Sequence, residues 1–305
     1  MRVEFTAGPD DHDRRLESVL RRLLPHQPLG ALHKALRRGD VRLNGAKAGP
    51  EARVVESDTV AVWDALVATG PATEKKTSTP LPPGWLLYDG TDLAVLNKPS
   101  GLLVHRGDEP GRGERPLDER VRAWLEPLAT ASLSFRPGPL HRLDRETSGL
   151  VVFSKTLAGA RSFSEALVAR QVSKTYLAVL RGNLEEPKEV RDSLARDETT
   201  RTTTVDSDGA VALTCFRPLA QALGLTLVEV DLGTGRTHQI RAHAATLGLP
   251  LAGDAKYGGG ATPEGLDVPW LLHAWKLSCD LLPRLKAPLP DSRTAWIEKN
   301  FKISP

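Results

Sequence analysis

The sequence predicts an α+β chain in which a small N-terminal α/β unit precedes a large unit built on a mainly antiparallel, mixed β-sheet. Three observations predict it. Strand-like and helix-like segments follow one another irregularly, without the strand–helix–strand rhythm of a parallel sheet. Short apolar runs meet at turn dipeptides, Asn44-Gly45 and Asp89-Gly90, as they do in hairpins. Residues 70–83 hold Pro71, Pro80, Pro82 and Pro83 among Thr, Ser and Lys, with little to bury, which marks a linker. The 305 residues thus divide into units at 1–69 and 84–305.

In the first unit, Leu16, Val19, Leu20, Leu23 and Leu24 recur at helical spacing, and Pro25 ends the helix. A second helix is expected over 29–38, with Leu32, Ala35 and Leu36 inward and Gly39 as its stop. Strands follow at 41–43 and 59–62. Basic residues, Arg14, Arg15, Arg21, Arg22, Lys34, Arg37 and Arg38 among them, outnumber acids on this unit. Such clustering is the pattern of phosphate contact; an ordinary solvated helix face is the bland alternative.

In the second unit, strands are expected at 85–88 and 93–96, and a Gly- and charge-rich loop at 106–115 able to fold over a ligand. An amphipathic helix follows from Leu117 through Val121, Trp124, Leu125 and Leu128. Leu150-Val151-Val152-Phe153 reads as a buried strand, and Thr156 as the N-cap of a helix to Arg170. Strands at 172–180 and 225–232 come next. Thr237 is placed to cap a helix carrying Ile240, Ala244 and Leu247. In the strand from Val172, Lys174, Tyr176 and Ala178 share one face, taken as the face turned away from the core.

Composition bounds the function. A hydrophobic fraction of 40% and a charged fraction of 26% are those of a globular chain. The net charge of +3 does not by itself announce a nucleic-acid binder, so the distribution of charge matters more. The two cysteines, Cys215 and Cys279, have no paired spacing, which excludes a Cys-based zinc site and fits a reducing compartment. With no apolar signal segment and no run of transmembrane length, a cytoplasmic protein is expected. His105, His141, His238 and His243 lack the spacing of paired ligands on a helix, so no metal is expected. The glycines at 233, 235 and 258–260 lack the setting of a phosphate loop and read as turns. No heptad or spare apolar stripe points to an oligomer, so a monomer is expected.

The chemistry concentrates in His141-Arg142-Leu143-Asp144-Arg145-Glu146-Thr147-Ser148-Gly149, charged and hydroxyl side chains set directly before a buried strand. This stretch resembles the signature of the RluA-type family of RNA pseudouridine synthases. Asn97-Lys98-Pro99-Ser100-Gly101, Lys174-Thr175-Tyr176-Leu177-Ala178, Gly235-Arg236-Thr237-His238-Gln239-Ile240-Arg241 and Gly253-Asp254-Ala255-Lys256-Tyr257-Gly258 are similar to further family segments, in the family's order. The first unit is similar to S4-type RNA-binding domains, although Pro28-Leu29-Gly30 stands where those usually carry a Ser-Arg pair.

The resemblance implies the pseudouridine synthase fold and an enzyme that breaks the C1′–N1 bond of a uridine in RNA, turns the uracil and rejoins C1′ to C5. That isomerisation needs neither cofactor nor metal. It implies Asp144 as the catalytic carboxylate, attacking C1′, removing the C2′ proton, or adding to C6. Arg236 is the expected guanidinium partner that keeps Asp144 ionised. Tyr176 is expected to stack on the base and relay the C5 proton. A paired base must be flipped out, with Arg142 as the wedge, His141 on the displaced backbone and Lys98 approaching the RNA; Arg14, Arg37 and Arg38 would bind RNA from the small unit. The substrate implied is large-subunit ribosomal RNA, with tRNA as an alternative. Two rivals stand beside this reading. One is a non-catalytic RNA-binding protein. The other is a glycosidic hydrolase, for which Asp254 would be the second carboxylate.

Overall fold

In the computed structural model the N-terminal unit folds around the apolar faces of two helices. The structure describes residues 1–67, 79–106, 114–125, 132–197 and 199–304. Strand β1 (Arg2–Thr6) leads through β2 (Arg14–Arg15) into α1 (Leu16–Leu23) and α2 (Leu29–Arg38). Leu16, Val19, Leu20, Leu32, Ala35 and Leu36 bury their side chains together, as their spacing predicts. Gly39 closes α2 in the left-handed conformation at φ +80°. Then come β3 (Val41–Leu43), β4 (Arg53–Val54), β5 (Thr59–Trp63) and α3 (Asp64–Val67). A three-stranded sheet runs β1-β5-β3, and Asn44-Gly45 turns the chain with both residues at positive φ. The expected linker falls for the most part on residues 68–78, and the glycine-rich loop on 107–113; both lie outside the described residues.

Buried carboxylates join this unit to the rest. Asp11 accepts the N–H groups of Leu133 and Ser134, at 2.7 and 2.8 Å, and the hydroxyls of Ser132 and Ser134. Asp10 accepts the N–H of Leu157 at 3.0 Å. Bonds of this kind, with a charged acceptor, are among the stronger ones in a protein.

The larger part contains β6 (Leu86–Asp89), β7 (Leu93–Lys98), α4 (Leu117–Leu125), β8 (Gly138–Pro139), β9 (Ser148–Ser154), α5 (Leu157–Val168) and β10 (Ser173–Arg181). It continues with β11 (Lys188–Asp197), β12 (Thr202–Val205), β13 (Ala210–Ala222), β14 (Leu225–Leu232), α6 (Gln239–Thr246), β15 (Leu272–Cys279), β16 (Leu282–Lys286) and α7 (Asp291–Phe301). Among the described residues these strands form one sheet with the main order β12-β11-β13-β14-β10-β15-β9-β7-β6, β8 pairing with β9 and β16 with β15. Every pairing but one is antiparallel; β9 and β15 run parallel. The α+β expectation is met.

Several elements depart from the sequence reading. Strands β11 and β13 carry charged and small residues and do not alternate cleanly. On β11 only Val190 and Leu194 are buried, because it lies one strand from the sheet edge with much of its surface in water. Helix α6 begins after His238, itself at φ +53°, so Thr237 does not cap it. Strand β10 has no solvent face: Tyr176 and Ala178 join the main core, while Leu177 and Val179 pack in a second core with Trp296, Ile297 and Phe301 of α7. By contrast, Thr156 caps α5 as expected, accepting the N–H of Gly159 at 3.0 Å.

The sheet register positions the site. Lys98 lies opposite Gly149, Gly149 opposite Ala274, Ala274 opposite Tyr176 and Tyr176 opposite Val230. This row crosses five strands and brings the loop before β9 to the strand that carries Tyr176. Gly149 sits at φ +107°, and a Cβ there would lie 2.2 Å from the Ala274 carbonyl oxygen, so only glycine allows the close approach of β9 and β15.

Candidate active site

The loop between β8 and β9 is clamped before it reaches the cleft. Lys98 is fully buried, and its Nζ donates to the carbonyls of Pro99, Leu102 and Arg145 at 2.9, 2.7 and 2.8 Å. Three acceptors match the three N–H groups of an ammonium. Burial pulls its pKa down to about 7, against the pull of Glu146 and Asp144. Lys98 therefore does not approach RNA as expected; it ties the end of β7 to the loop that carries Asp144. Ser100 donates to the Glu146 carbonyl at 2.7 Å, and the N–H of Gly101 donates to Arg145 at 2.9 Å. Behind the loop, the Ser148 hydroxyl bonds to Nδ1 of His273 at 2.8 Å.

So held, Asp144 opens into a cleft of about 730 Å³ walled by the 140–144 loop, β10, and the turn from β14 into α6. Its carboxylate is 19% exposed. Nη1 of Arg241 lies 3.5 Å from its Oδ2, and Nε2 of His238 lies 3.8 Å away. Arg241 is in turn gripped by Asp254, which is fully buried and accepts from Nε and Nη2 at 2.6 and 2.8 Å. The rings of Tyr257 and Trp270 cover the guanidinium at 4.7 and 4.6 Å. Burial works against the Arg241 charge, but the bonds to Asp254 and the charges of Asp254 and Asp144 outweigh it, so its pKa is raised. The N–H of Thr203 donates to the Tyr257 hydroxyl, which lies 3.0 Å from Nδ1 of His238. The pKa of His238 is lowered by burial despite the Asp144 charge.

Arg236, the expected partner of Asp144, is exposed at the rim, and its Nε donates to the Val211 carbonyl at 3.3 Å. The partner is Arg241, from the same sequence segment. The reason is local. Gln239 accepts from the N–H of Arg236 and the hydroxyl of Thr234, and donates to Leu213 and Thr214. This staples the turn to β13, leaves Arg236 outside it, and starts a helix whose third residue points at Asp144.

Tyr176 is buried and lines the cleft beside Asp144. Burial and then the Asp144 charge push its phenol pKa up, so it is neutral. Arg142 is exposed on the cleft wall. His141 departs from expectation. Its Nε2 accepts the N–H of Val152 at 3.1 Å, its ring stacks near Phe163, and burial, then Lys174, lower its pKa to about 3. It lines the cleft as a neutral ring and brings no charge to a phosphate. Arg37 and Arg38 are exposed on the last turn of α2, where they also complement the helix dipole; Arg14 is half-buried, with a buried Nε that finds no hydrogen-bond partner among the described residues. Arg241, His238 and Tyr257 all lie within the quoted segments, but sequence spacing alone did not single them out.

Known proteins resemble the chain over much of its length. Residues 92–246, half of the chain, match the family model described as RNA pseudouridylate synthase. A Bacillus subtilis protein, "Uncharacterized RNA pseudouridine synthase YlyB", is 32% identical over 97% of this chain and 97% of its own length. "Ribosomal large subunit pseudouridine synthase D" of Xylella fastidiosa is 35% identical over 81% of this chain and 72% of its own. Among solved structures, "Human RNA Pseudouridylate Synthase Domain Containing 1" is 27% identical with a TM-score of 0.53, covering 68% of this chain and 82% of that one. Family match, full-length similarity and shared fold lead to one conclusion: the chain belongs to the RNA pseudouridylate synthase family and is an RNA pseudouridine synthase, an enzyme of the isomerase class.

Proposed function

We propose that the chain isomerises specific uridines of large-subunit ribosomal RNA and that Asp144 is the group that acts on the nucleotide. The observation that carries this reading is that Asp144, alone among carboxylates of the described residues lining the main cleft, faces it with a fixed guanidinium behind it. An ionised carboxylate so placed can attack C1′ while the C1′–N1 bond breaks and its electrons pass to the uracil. The uracil turns, C5 bonds to C1′, and Asp144 leaves with its electron pair. The C5 proton is then lost and N1 gains one. A neutral phenol is a poor free-standing base, so Tyr176 serves as a relay, taking the C5 proton as it gives its own away.

Arg142 and Arg236, at the mouth of the cleft, fit contact with a displaced backbone, and Arg37 and Arg38 of the S4-like unit fit a second RNA surface. The ribosomal target rests on the printed names of relatives such as the Xylella protein. A cytoplasmic monomer is the form we assign; its cysteines are unpaired, and no helix of the described residues is long and apolar enough to cross a membrane. The hydrolase rival is disfavoured because both oxygens of Asp254 are taken by Arg241, and among the described residues no other carboxyl group lines the main cleft beside Asp144.

The test is purified protein on transcribed large-subunit rRNA and on tRNA. Pseudouridine in the rRNA alone is expected. Modification of tRNA alone would replace the target, and none in either would favour the binding-protein reading.

A further inference from the structure

Lys174 is a cation that neither the fold nor the chemistry above uses. It precedes Tyr176 by two residues on β10, shares its face, and lines the main cleft. Among the described residues no hydrogen bond or ion pair engages its Nζ, whereas Lys98, Lys155, Lys256 and Lys276 each find an oxygen. Burial lowers its pKa, and no acidic neighbour opposes the shift. The group nearest in kind is His141, which is neutral and whose own proton affinity Lys174 depresses further. The Nζ lies against the glycine turn after β14: a Cβ on Gly235 would come within 3.3 Å of it. A glycine there leaves the ammonium uncovered toward the cleft.

A half-buried ammonium without a counter-charge has lost part of its hydration with no partner to replace it. An anionic ligand supplies that partner. The cleft offers Asp144 as its carboxylate, already paired with Arg241, and otherwise Arg142, Arg170, Lys174 and Arg236 around its walls. A phosphodiester of the RNA strand is the anion this chemistry accepts. We propose that Lys174 is a binding residue of the cleft that holds a backbone phosphate flanking the flipped uridine, and so sets how deeply that nucleotide enters beside Asp144 and Tyr176. The inference rests on the reading of the cleft as the RNA site.

The test is the salt dependence of RNA binding, which does not need catalysis. Wild type, Lys174→Met and Lys174→Arg are titrated with a transcribed large-subunit rRNA stem–loop over a range of KCl concentrations. Loss of one phosphate contact to a single strand lowers the slope of log K against log salt by about 0.7. Lys174→Met is expected to show that drop, with affinity about tenfold weaker, and Lys174→Arg to keep the wild-type slope. Thermal unfolding separates binding from a structural role: removing an unpaired, half-buried charge should leave the Tm of Lys174→Met unchanged or raised. An unchanged slope, or a lower Tm in Lys174→Met, overturns the proposal. If the slope drops yet wild type forms no pseudouridine, the phosphate contact stands and the catalytic reading fails; pseudouridine formation with an unchanged slope gives the reverse.

Discussion

The guanidinium of Arg241 stands 3.5 Å from the carboxylate of Asp144 and holds that place through Asp254 rather than through Asp144 itself. The shorter, paired bonds are those to Asp254. The rings of Tyr257 and Trp270 pack against the guanidinium. The cation beside Asp144 is thus fixed before any RNA arrives, and it has no need to reorganise during reaction.

Replacing Asp254 by Asn tests this arrangement. It keeps the shape but removes the charge that balances a buried guanidinium. Breaking a buried pair from one side costs about 3–5 kcal/mol, to be read from urea unfolding. At a temperature where the variant is folded, kcat should fall by about a hundredfold, the scale of a misplaced catalytic contact, while KM for RNA changes little. A variant with wild-type kcat would remove Asp254 from the positioning of the site.

Lys98→Met should behave as a structural lesion, not as the loss of an RNA contact. Three carbonyls would lose their donor in a buried place, each costing about 1 kcal/mol or more. A clear fall in unfolding midpoint is expected, with the salt slope of RNA binding unchanged. A reduced slope at wild-type stability would restore the RNA-contact reading of Lys98.

His273 makes stability depend on acid. It is buried, its Nδ1 faces the Ser148 hydroxyl, and its Nε2 faces the Ala287 carbonyl at 3.2 Å, the pattern of a neutral ring with its proton on Nε2. Burial, opposed by the Ala287 bond and joined by Arg293, lowers its pKa from 6.5 to about 4. Between those values the unfolded chain holds more protons than the folded one, so stability is complete above pH 6.5 and is lost as pH falls toward 4. The loss is on the order of 3 kcal/mol from this group; His141 adds in the same direction. Unfolding midpoints from pH 7 to 4 should fall less steeply for His273→Gln than for wild type. Parallel curves would exclude His273 as a source.

The readable parts of this chain were those where local chemistry decides. The helices of the first unit, the Thr156 cap, β14 and the loop around Asp144 follow from apolar spacing, hydroxyls and glycines close in sequence. Strands β11 and β13 were not legible because their partners, not their own patterns, make them strands. The choice between Arg236 and Arg241 was set by where α6 begins, and that depends on Gln239 reaching β13, a contact more than twenty residues away in sequence. A lysine is seldom buried, and the three carbonyls that bury Lys98 come from two separate segments.

Asp144 carries the proposed chemistry. The most direct measurement is pseudouridine mapping of total RNA from cells with the gene, without it, and complemented by wild type or Asp144→Ala. The expected result is a large-subunit rRNA site that vanishes on deletion and returns with wild type but not with Asp144→Ala, although the variant protein accumulates and stays folded. Return of the site with Asp144→Ala would contradict the central claim.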